Sequence, residues 1–257
     1  IFAFLVLFYS TKIRVNGKDE ITGNSLLEAV TKSNYNFADA KQIEFLEGSI
    51  TQEEMTNQVI RDSFKSVELF NASEDVFVEA KTIPNNSFFA LDSVRFINMK
   101  CDIEEIGYAA FMMCKKILSV EIPKLKRLGI RAFAYCSSLE YAGLPNLESI
   151  GMHGLYLCHS LKSAIFPYLN RVEYAGFSFC MSLTDINFEN LNETNDFTFY
   201  QCSVLKTINL PKLEIISTSS FYGCVNLMNC SFQKATTFEI TSFYGCRKLI
   251  NISAPEL

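Results

Sequence analysis

The feature that most constrains this chain is a cysteine that recurs every 22 residues. The seven cysteines of this ladder are Cys114, Cys136, Cys158, Cys180, Cys202, Cys224 and Cys246. Three residues before each stands a large apolar residue, namely Phe111, Phe133, Leu155, Phe177, Phe199, Phe221 or Phe243. Three residues after each stands Ile117, Leu139, Leu161, Leu183, Leu205, Leu227 or Leu249. Several positions agree over seven successive copies, which identifies an internal repeat.

Two spacings inside the repeat predict two kinds of backbone. Apolar residues three apart share one face of a helical turn, whereas apolar residues two apart share one face of a strand. The second spacing occurs in the pairs Val120/Ile122, Ala142/Leu144, Ala164/Phe166, Ile186/Phe188, Ile208/Leu210, Cys230/Phe232 and Ile252/Ala254. One such unit cannot bury its own apolar side, but stacked units can, so the period predicts a solenoid.

The repeat resembles a known family. The run A-F-x-x-C-x-x-L between Ile130 and Leu139 is similar to BspA-type leucine-rich repeats. So is the stretch from Leu139, which follows the pattern L-x-x-I-x-L-P and then L-x-x-I-G, with Ala142 at the first isoleucine position. The resemblance covers roughly residues 88–257. It implies an α/β repeat solenoid, a leucine-rich-repeat horseshoe with a parallel concave β-sheet and short helical turns on the convex side. Members of this family are found as surface proteins and adhesins of bacteria and protozoan parasites.

The spacing divides one continuous solenoid into two parts. Residues 101–257 hold the regular 22-residue repeats and stop in mid-repeat, whereas residues 1–100 hold longer, irregular ones. Inward pairs are predicted in the irregular part at Ile13/Val15, Ile43/Phe45, Val67/Leu69 and Ile97/Met99. Because the last repeat carries no polar cap, we expect a longer polypeptide, or end-to-end contact with another repeat unit or subunit.

Local signals add detail to residues 1–100. Ser25 and the capping box Thr51-x-x-Glu54 each precede an apolar helical pattern. The apolar run Ile1–Tyr9 could be a signal remnant, a membrane anchor or a terminal strand. Nine residues are far fewer than the ~20 that a spanning helix needs. We therefore expect a packed strand and no membrane insertion by this segment.

Charge and cysteine usage exclude several classes of partner and site. The net charge is −5, and no basic stripe is visible, so a nucleic-acid partner is not expected. The seven ladder cysteines are equivalent and cannot all pair with one another, which favours buried thiols over a disulfide framework. None of them has C-x-x-C spacing, so we expect no metal site and no cofactor.

The sequence offers little for catalysis. The two histidines, His153 and His159, have no aspartate or cysteine at a spacing that suggests a catalytic triad, and we interpret both as solvent-facing turn residues. No nucleophile elbow, zinc-protease motif, phosphate loop or dinucleotide fingerprint is present. We therefore expect no enzyme.

The outward residues of the predicted strands are the candidate ligand-binding residues. They flank the inward pairs and would form two rows on the concave face, with Tyr141 and Ile165 as the largest anchors. Glu44, Glu68 and Glu121 would make the early part acidic. The alternative is that these residues only keep the sheet soluble. The candidate residues are Glu121, Tyr141, Ser163, Ile165, Asp185, Asn187, Thr207, Asn209, Asn229, Ser231, Asn251 and Ser253.

Two functional hypotheses follow from these patterns. The first is a non-catalytic module that binds a protein partner through the concave face, with surface adhesion implied by the resemblance. The second is an intracellular scaffold component held in a larger assembly. Five N-x-S/T sequons occur, and glycans on Asn229 or Asn251 would cover the predicted binding face. Localisation therefore stays open between the cell surface and a cytoplasmic assembly.

Overall fold

The computed structural model describes residues 11–33 and 35–257. The strand predicted at Ile1–Tyr9 lies outside these residues. Within them the chain winds as a solenoid with three sides, which we call the front sheet, the back sheet and the turn side. The predicted solenoid with a parallel sheet is confirmed, whereas its horseshoe curvature stays a prediction.

The front sheet contains the predicted I-x-L strands. Its strands are parallel, and in the regular repeats the paired strands lie 22 residues apart in register, as in Tyr141 with Ser119 and Asn229 with Thr207. The pairing is interrupted after Tyr141–Gly143 and again after Asp185–Asn187. The antiparallel strands Thr11–Val15 and Asp19–Gly23 cover its first edge. The parallel strands are Gln42–Ile50, Leu69–Ala72, Phe96–Met99, Ser119–Glu121, Tyr141–Gly143, Ser163–Ile165, Asp185–Asn187, Thr207–Asn209, Asn229–Ser231 and Asn251–Ser253.

The back sheet was not predicted as a separate sheet. Its strands are two residues long and parallel, and the second residue of most strands points into the core. They are Thr82–Ile83, Glu105–Ile106, Arg127–Leu128, Ser149–Ile150, Arg171–Val172, Glu193–Thr194, Ile215–Ile216 and Thr237–Phe238. A further strand, Val76–Val78, pairs with the last three residues of Gln42–Ile50.

The turn side differs from the predicted helical turns. In the regular repeats it consists of consecutive β-turns, such as those closed by Ala134 N–H to the Arg131 carbonyl and by Cys136 N–H to the Phe133 carbonyl. The N–H groups of the alternate residues donate instead to carbonyl groups of the next repeat. Phe133 N–H donates to the Gly154 carbonyl, and Tyr135 N–H donates to the Tyr156 carbonyl. Beyond its first turn, an α-helix directs its N–H groups to carbonyls of the same helix, so it would not provide these alternating bonds between repeats.

Helices occur before the regular repeats. They are Leu26–Lys32, capped by Ser25, and Gln52–Thr56 and Gln58–Ser63, the former opened by the predicted Thr51/Glu54 capping box. Short 3₁₀ segments lie at Phe37–Asp39 and Glu79–Lys81. Both predicted helix starts are confirmed.

One predicted inward pair is wrong. The front strand after the helices points Phe70 and Ala72 inward, and Leu69 is half-buried on the outer face. Register explains the shift, because Phe70 pairs with Ile43 and Ala72 with Phe45. Val67 is fully buried, but it occupies the position three residues before the inward pair.

The core holds two runs of stacked phenylalanine rings, separated by Leu155. In one run the rings of Phe111 and Phe133 lie 5.0 Å apart with planes 4° from parallel, and Phe88 extends it by one ring. In the other, the rings of Phe177 and Phe199 lie 5.4 Å apart at 8°. These distances between ring centres are close to the ~4.8 Å separation of neighbouring strands. Equivalent phenylalanines of successive turns therefore stack directly on one another.

The ladder cysteines lie beside these rings and are buried except for Cys246, which is half-buried. Each thiol donates to a main-chain carbonyl of the preceding turn, as Cys136 Sγ does to Phe111 at 3.1 Å and Cys202 Sγ does to Phe177 at 3.3 Å. Burial raises the pKa of the Cys202 thiol to about 12 and that of Cys246 to about 11. The ladder is therefore a row of unreactive thiols.

We predict that Phe177→Ala lowers the free energy of unfolding by ~3–5 kcal/mol, because it removes a fully buried ring and leaves a cavity between two turns. Chemical denaturation measures this loss. Phe77→Ala is the matched control, since that ring is 60% exposed and its removal should change stability by ~0.5 kcal/mol or less. A loss below ~1 kcal/mol for Phe177→Ala would contradict the stacked core.

We also predict that the ladder cysteines are thiols that react slowly while the protein is folded. A pKa raised from 9.0 to about 11 at Cys246 lowers its thiolate fraction at pH 8 about a hundredfold. Iodoacetamide should label this half-buried residue first, and faster as pH rises. Unfolding without reductant should expose all seven ladder cysteines to label. Pairs that resist labelling until reductant is added would show disulfides instead.

Candidate functional site

The structure places the predicted site residues on one surface, the outer side of the front sheet, which we call the front face. Ser163 pairs with Asp185 and Ile165 with Asn187, and a separate group of strands begins at Thr207, which pairs with Asn229. The members whose side chains the structure describes are exposed or half-buried. Tyr141 and Ile165 are 49% and 51% exposed. These residues therefore lie on the outer side of successive front strands, and their role in binding stays a prediction.

A groove of about 550 Å³ lies on the front face around Gly143, and we call it the Gly143 groove. The Tyr141 side chain runs along its own strand here. A Cβ atom placed on Gly143 would lie 3.0 Å from Tyr141 Oη and 3.1 Å from Tyr141 Cε1. The missing side chain thus makes room for the tyrosine. The other lining residues are Asn98, Lys100, Glu121, Pro123, Ala142, Leu144, Pro145, Ser163 and Ile165.

The charges at this groove differ from those elsewhere on the front face. Glu44 bonds to Arg14 at 2.9 Å, and Glu68 lies near Lys41 and Arg95. The predicted acidic surface is therefore largely neutralised. Glu121 and Lys100, by contrast, form no ion pair with any residue in the described part of the chain. Both are exposed, so the groove carries one carboxylate and one ammonium group that are available to a partner.

The hydrogen bonds of the front sheet are interrupted beside the groove. In most turns the amide that follows the strand donates to the next turn, as Ile122 N–H does to Gly143 and Phe166 N–H does to Asn187. The equivalent amide of Leu144 has no partner among residues 11–33 and 35–257. Accordingly, Tyr141–Gly143 ends the continuous part of the sheet, and Ser163–Ile165 pairs with the next strand only.

A second, smaller groove lies further along the front face. It measures about 320 Å³ and is lined mainly by short polar side chains, which we call the polar groove. The sequons at Asn229 and Asn251 are on its wall, where a glycan would fill it. Its lining residues are Thr184, Ile186, Thr207, Ile208, Asn209, Asn229, Cys230, Ser231, Asn251 and Ser253.

Sequence reasoning missed one large residue of the front face. Phe96 is 38% exposed and occupies the row of Tyr141, two turns earlier, with the Arg95 guanidinium 5.5 Å from its ring centre. The pair Ile97/Met99 had been identified as inward, so the residue before Ile97 had to point outward. The sequence therefore carries the signal for Phe96, although the candidate residues begin only at Glu121.

Exposed apolar residues also occur on the turn side. Tyr108, Ile130, Met152 and Tyr174 recur at the 22-residue spacing, and each is about 40% exposed. His153 lies among them, with its ring centre 4.9 Å from that of Tyr156. It is half-buried rather than solvent-facing as predicted, and burial together with nearby Arg131 lowers its pKa.

Among the described residues, the histidines have no paired nucleophile and no cluster of metal-binding side chains occurs. Neither His153 nor His159 has a side-chain hydrogen bond to a described residue, so neither histidine is paired with a nucleophile there. No group of three or more His, Cys, Asp or Glu side chains in residues 11–33 and 35–257 is placed to hold a metal ion. In the same residues, no helix has the length and apolarity required to cross a membrane.

Comparison with solved structures agrees with this architecture. A leucine-rich repeat protein from Bacteroides ovatus ATCC 8483 is similar with a TM-score of 0.55 and 22% identity, over 84% of this chain and 66% of that one. The leucine-rich repeat protein of T. pallidum is similar with a TM-score of 0.54 and 20% identity, over 82% of this chain and 84% of that one. At these identities the likeness supports the fold alone.

Comparison of sequences identifies the family. No curated protein matches the chain significantly. The profile of the BspA type leucine-rich repeat region matches residues 58–174 and 170–257, in six copies. These segments cover most of the chain and contain all seven ladder cysteines. The protein is therefore a member of the BspA-type leucine-rich repeat family.

Proposed function

We propose that this protein is a non-catalytic interaction module that binds a protein partner through its front face. Leucine-rich repeat proteins are generally protein-interaction modules without enzymatic activity. The observation that carries the proposal is the Gly143 groove. It combines the large exposed side chains of Tyr141 and Ile165 with the unpaired charges of Glu121 and Lys100.

The dimensions of the front face suit an extended protein segment. Strands ~4.8 Å apart make seven regular turns about 30 Å long. A segment of roughly nine residues in extended conformation spans that length. Binding energy in protein interfaces concentrates on a few aromatic and aliphatic anchors surrounded by polar contacts. Tyr141 and Ile165 are such anchors, and the short polar residues of the polar groove suit the surrounding contacts.

Adhesion at a cell surface is the finer form of this proposal. It rests on the family resemblance, and it requires the front face to remain free of glycans. Asn229 is exposed on the wall of the polar groove, as is Asn251. Mass spectrometry of the native protein that found glycans at both positions would leave only the Gly143 groove open to a partner.

We predict that Tyr141→Ala weakens binding of the natural partner at least tenfold and leaves the thermal midpoint nearly unchanged. The tyrosine ring is half exposed and packs against Gly143, so its loss removes contact area without opening a cavity in the core. Calorimetric titration with the purified partner measures the affinity, and thermal denaturation measures the thermal midpoint.

Tyr168→Ala is the matched control for this experiment. Tyr168 is 58% exposed but lies outside the front face, beside Lys124 and Glu148. Its loss should leave binding unchanged. Binding that survives Tyr141→Ala combined with Ile165→Ala, but fails when turn-side residues are altered, would exclude the front face. That outcome would favour the scaffold hypothesis.

A further inference from the structure

The backbone conformation of Gly143 does not require a glycine. Its φ is not positive, unlike those of Gly223 and Gly245, so any residue could adopt its extended conformation. Glycine in the interior of a strand weakens the strand, and it often marks the close approach of a ligand or another chain. The neighbouring turns place Glu121 and Ile165 at the equivalent position. What glycine provides here is therefore space.

The space at Gly143 determines where Tyr141 and Glu121 lie. A Cβ atom at Gly143 would be 3.0 Å from Tyr141 Oη and 3.3 Å from Glu121 Cγ. Both side chains therefore lean over the glycine from two directions. Gly143 acts as a positioning residue, because it lets the tyrosine run along its strand and keeps the carboxylate beside the groove.

The groove has an apolar end and a charged end. Tyr141, Pro145 and Ile165 form the apolar end. Glu121 lies one turn away from Gly143. On the next turn Asn98 is opposite Glu121, and Lys100 follows Asn98 by two residues and also lines the groove. Neither charge has an ion-pair partner in residues 11–33 and 35–257. A segment that crosses the groove from end to end thus meets an apolar surface, then a carboxylate, then an ammonium group.

We infer that the Gly143 groove binds an extended peptide segment that carries a bulky apolar residue, a basic residue and an acidic residue at alternate positions. Alternate side chains of an extended segment point to the same face and are ~6.6 Å apart, whereas solenoid turns are ~4.8 Å apart. A long and flexible basic side chain can bridge the difference of about 2 Å between these two spacings. The apolar residue contacts Tyr141, the basic residue pairs with Glu121, and the acidic residue pairs with Lys100. This inference rests on the proposed function.

The test uses a phage-displayed library of random 12-residue peptides. Peptides are selected on the wild-type protein and counter-selected on a Tyr141→Ala/Ile165→Ala variant, so that only binders of the front face remain. The most frequent sequence is synthesised, and its affinity is measured by fluorescence anisotropy. We expect the selected peptides to share the order apolar, basic, acidic at alternate positions.

The substitution Gly143→Val distinguishes an effect on peptide binding from an effect on protein stability. The added side chain displaces Tyr141 and Glu121, whose flexible ends can move, and it favours the strand conformation. Peptide affinity should fall at least tenfold while the thermal midpoint stays the same or rises. Thr237→Val is the control, because it places the same side chain at an exposed strand position of the back sheet, away from the front face, and should leave affinity unchanged.

Charge reversal tests the pairing with Glu121. Glu121→Lys should weaken the peptide about fivefold, in line with the modest strength of exposed ion pairs, and a peptide whose basic residue is replaced by glutamate should recover the affinity. Selected peptides that lack the pattern, or bind Gly143→Val unchanged, would overturn this inference and leave the proposed function standing. If no peptide distinguished the wild type from the double variant, both would fail.

Discussion

The hydrogen bonds between successive turns are the constraint on which the rest of this structure depends. On the front and back sheets they follow the parallel strands, and on the turn side they come from every second residue of the β-turns. Because all three sides bond to the next turn, each residue of the regular repeats lies above its counterpart 22 positions away. The stacked phenylalanines, the cysteine ladder and the rows of the front face all result from this register.

The turn side also has a conformational cost. To direct alternate N–H groups outward along the solenoid, the chain adopts positive φ at residues that are not glycine, among them Arg131 at 57° and Tyr135 at 64°. Such conformations are unfavourable for most side chains. They are maintained because each such residue donates a hydrogen bond to the next turn, which an α-helical turn would not allow.

Much of the fold could be predicted from the sequence, because repetition makes a weak pattern significant. The inward pairs of the regular repeats, the buried cysteines, and the helix starts at Ser25 and Thr51 all follow from residue spacing and capping chemistry. The back sheet could not be predicted, since strands of two residues carry almost no periodic signal. The register at Phe70 was misjudged because the irregular repeats lack a fixed period.

The candidate site could be predicted in its position and only partly in its chemistry. Alternation along the strand placed Tyr141 and Ile165 on the front face. The Tyr141 side chain lies over Gly143, two residues further along the same strand. The alternation of inward and outward residues predicts which face a side chain is on, but not its direction along that face. The acidity inferred from Glu44 and Glu68 is offset by Arg14, Lys41 and Arg95, whose positions follow from the register of the irregular repeats.

The alignment of these hydrogen bonds with the solenoid axis has a mechanical consequence. A force that pulls along the axis does not shear two long strands past each other, but separates one turn from its neighbour. Extension under load should therefore proceed by the release of single turns. Each turn frees 22 residues, which reach about 75 Å when fully stretched. A protein built in this way can lengthen in equal increments under tension while the remaining turns keep their structure.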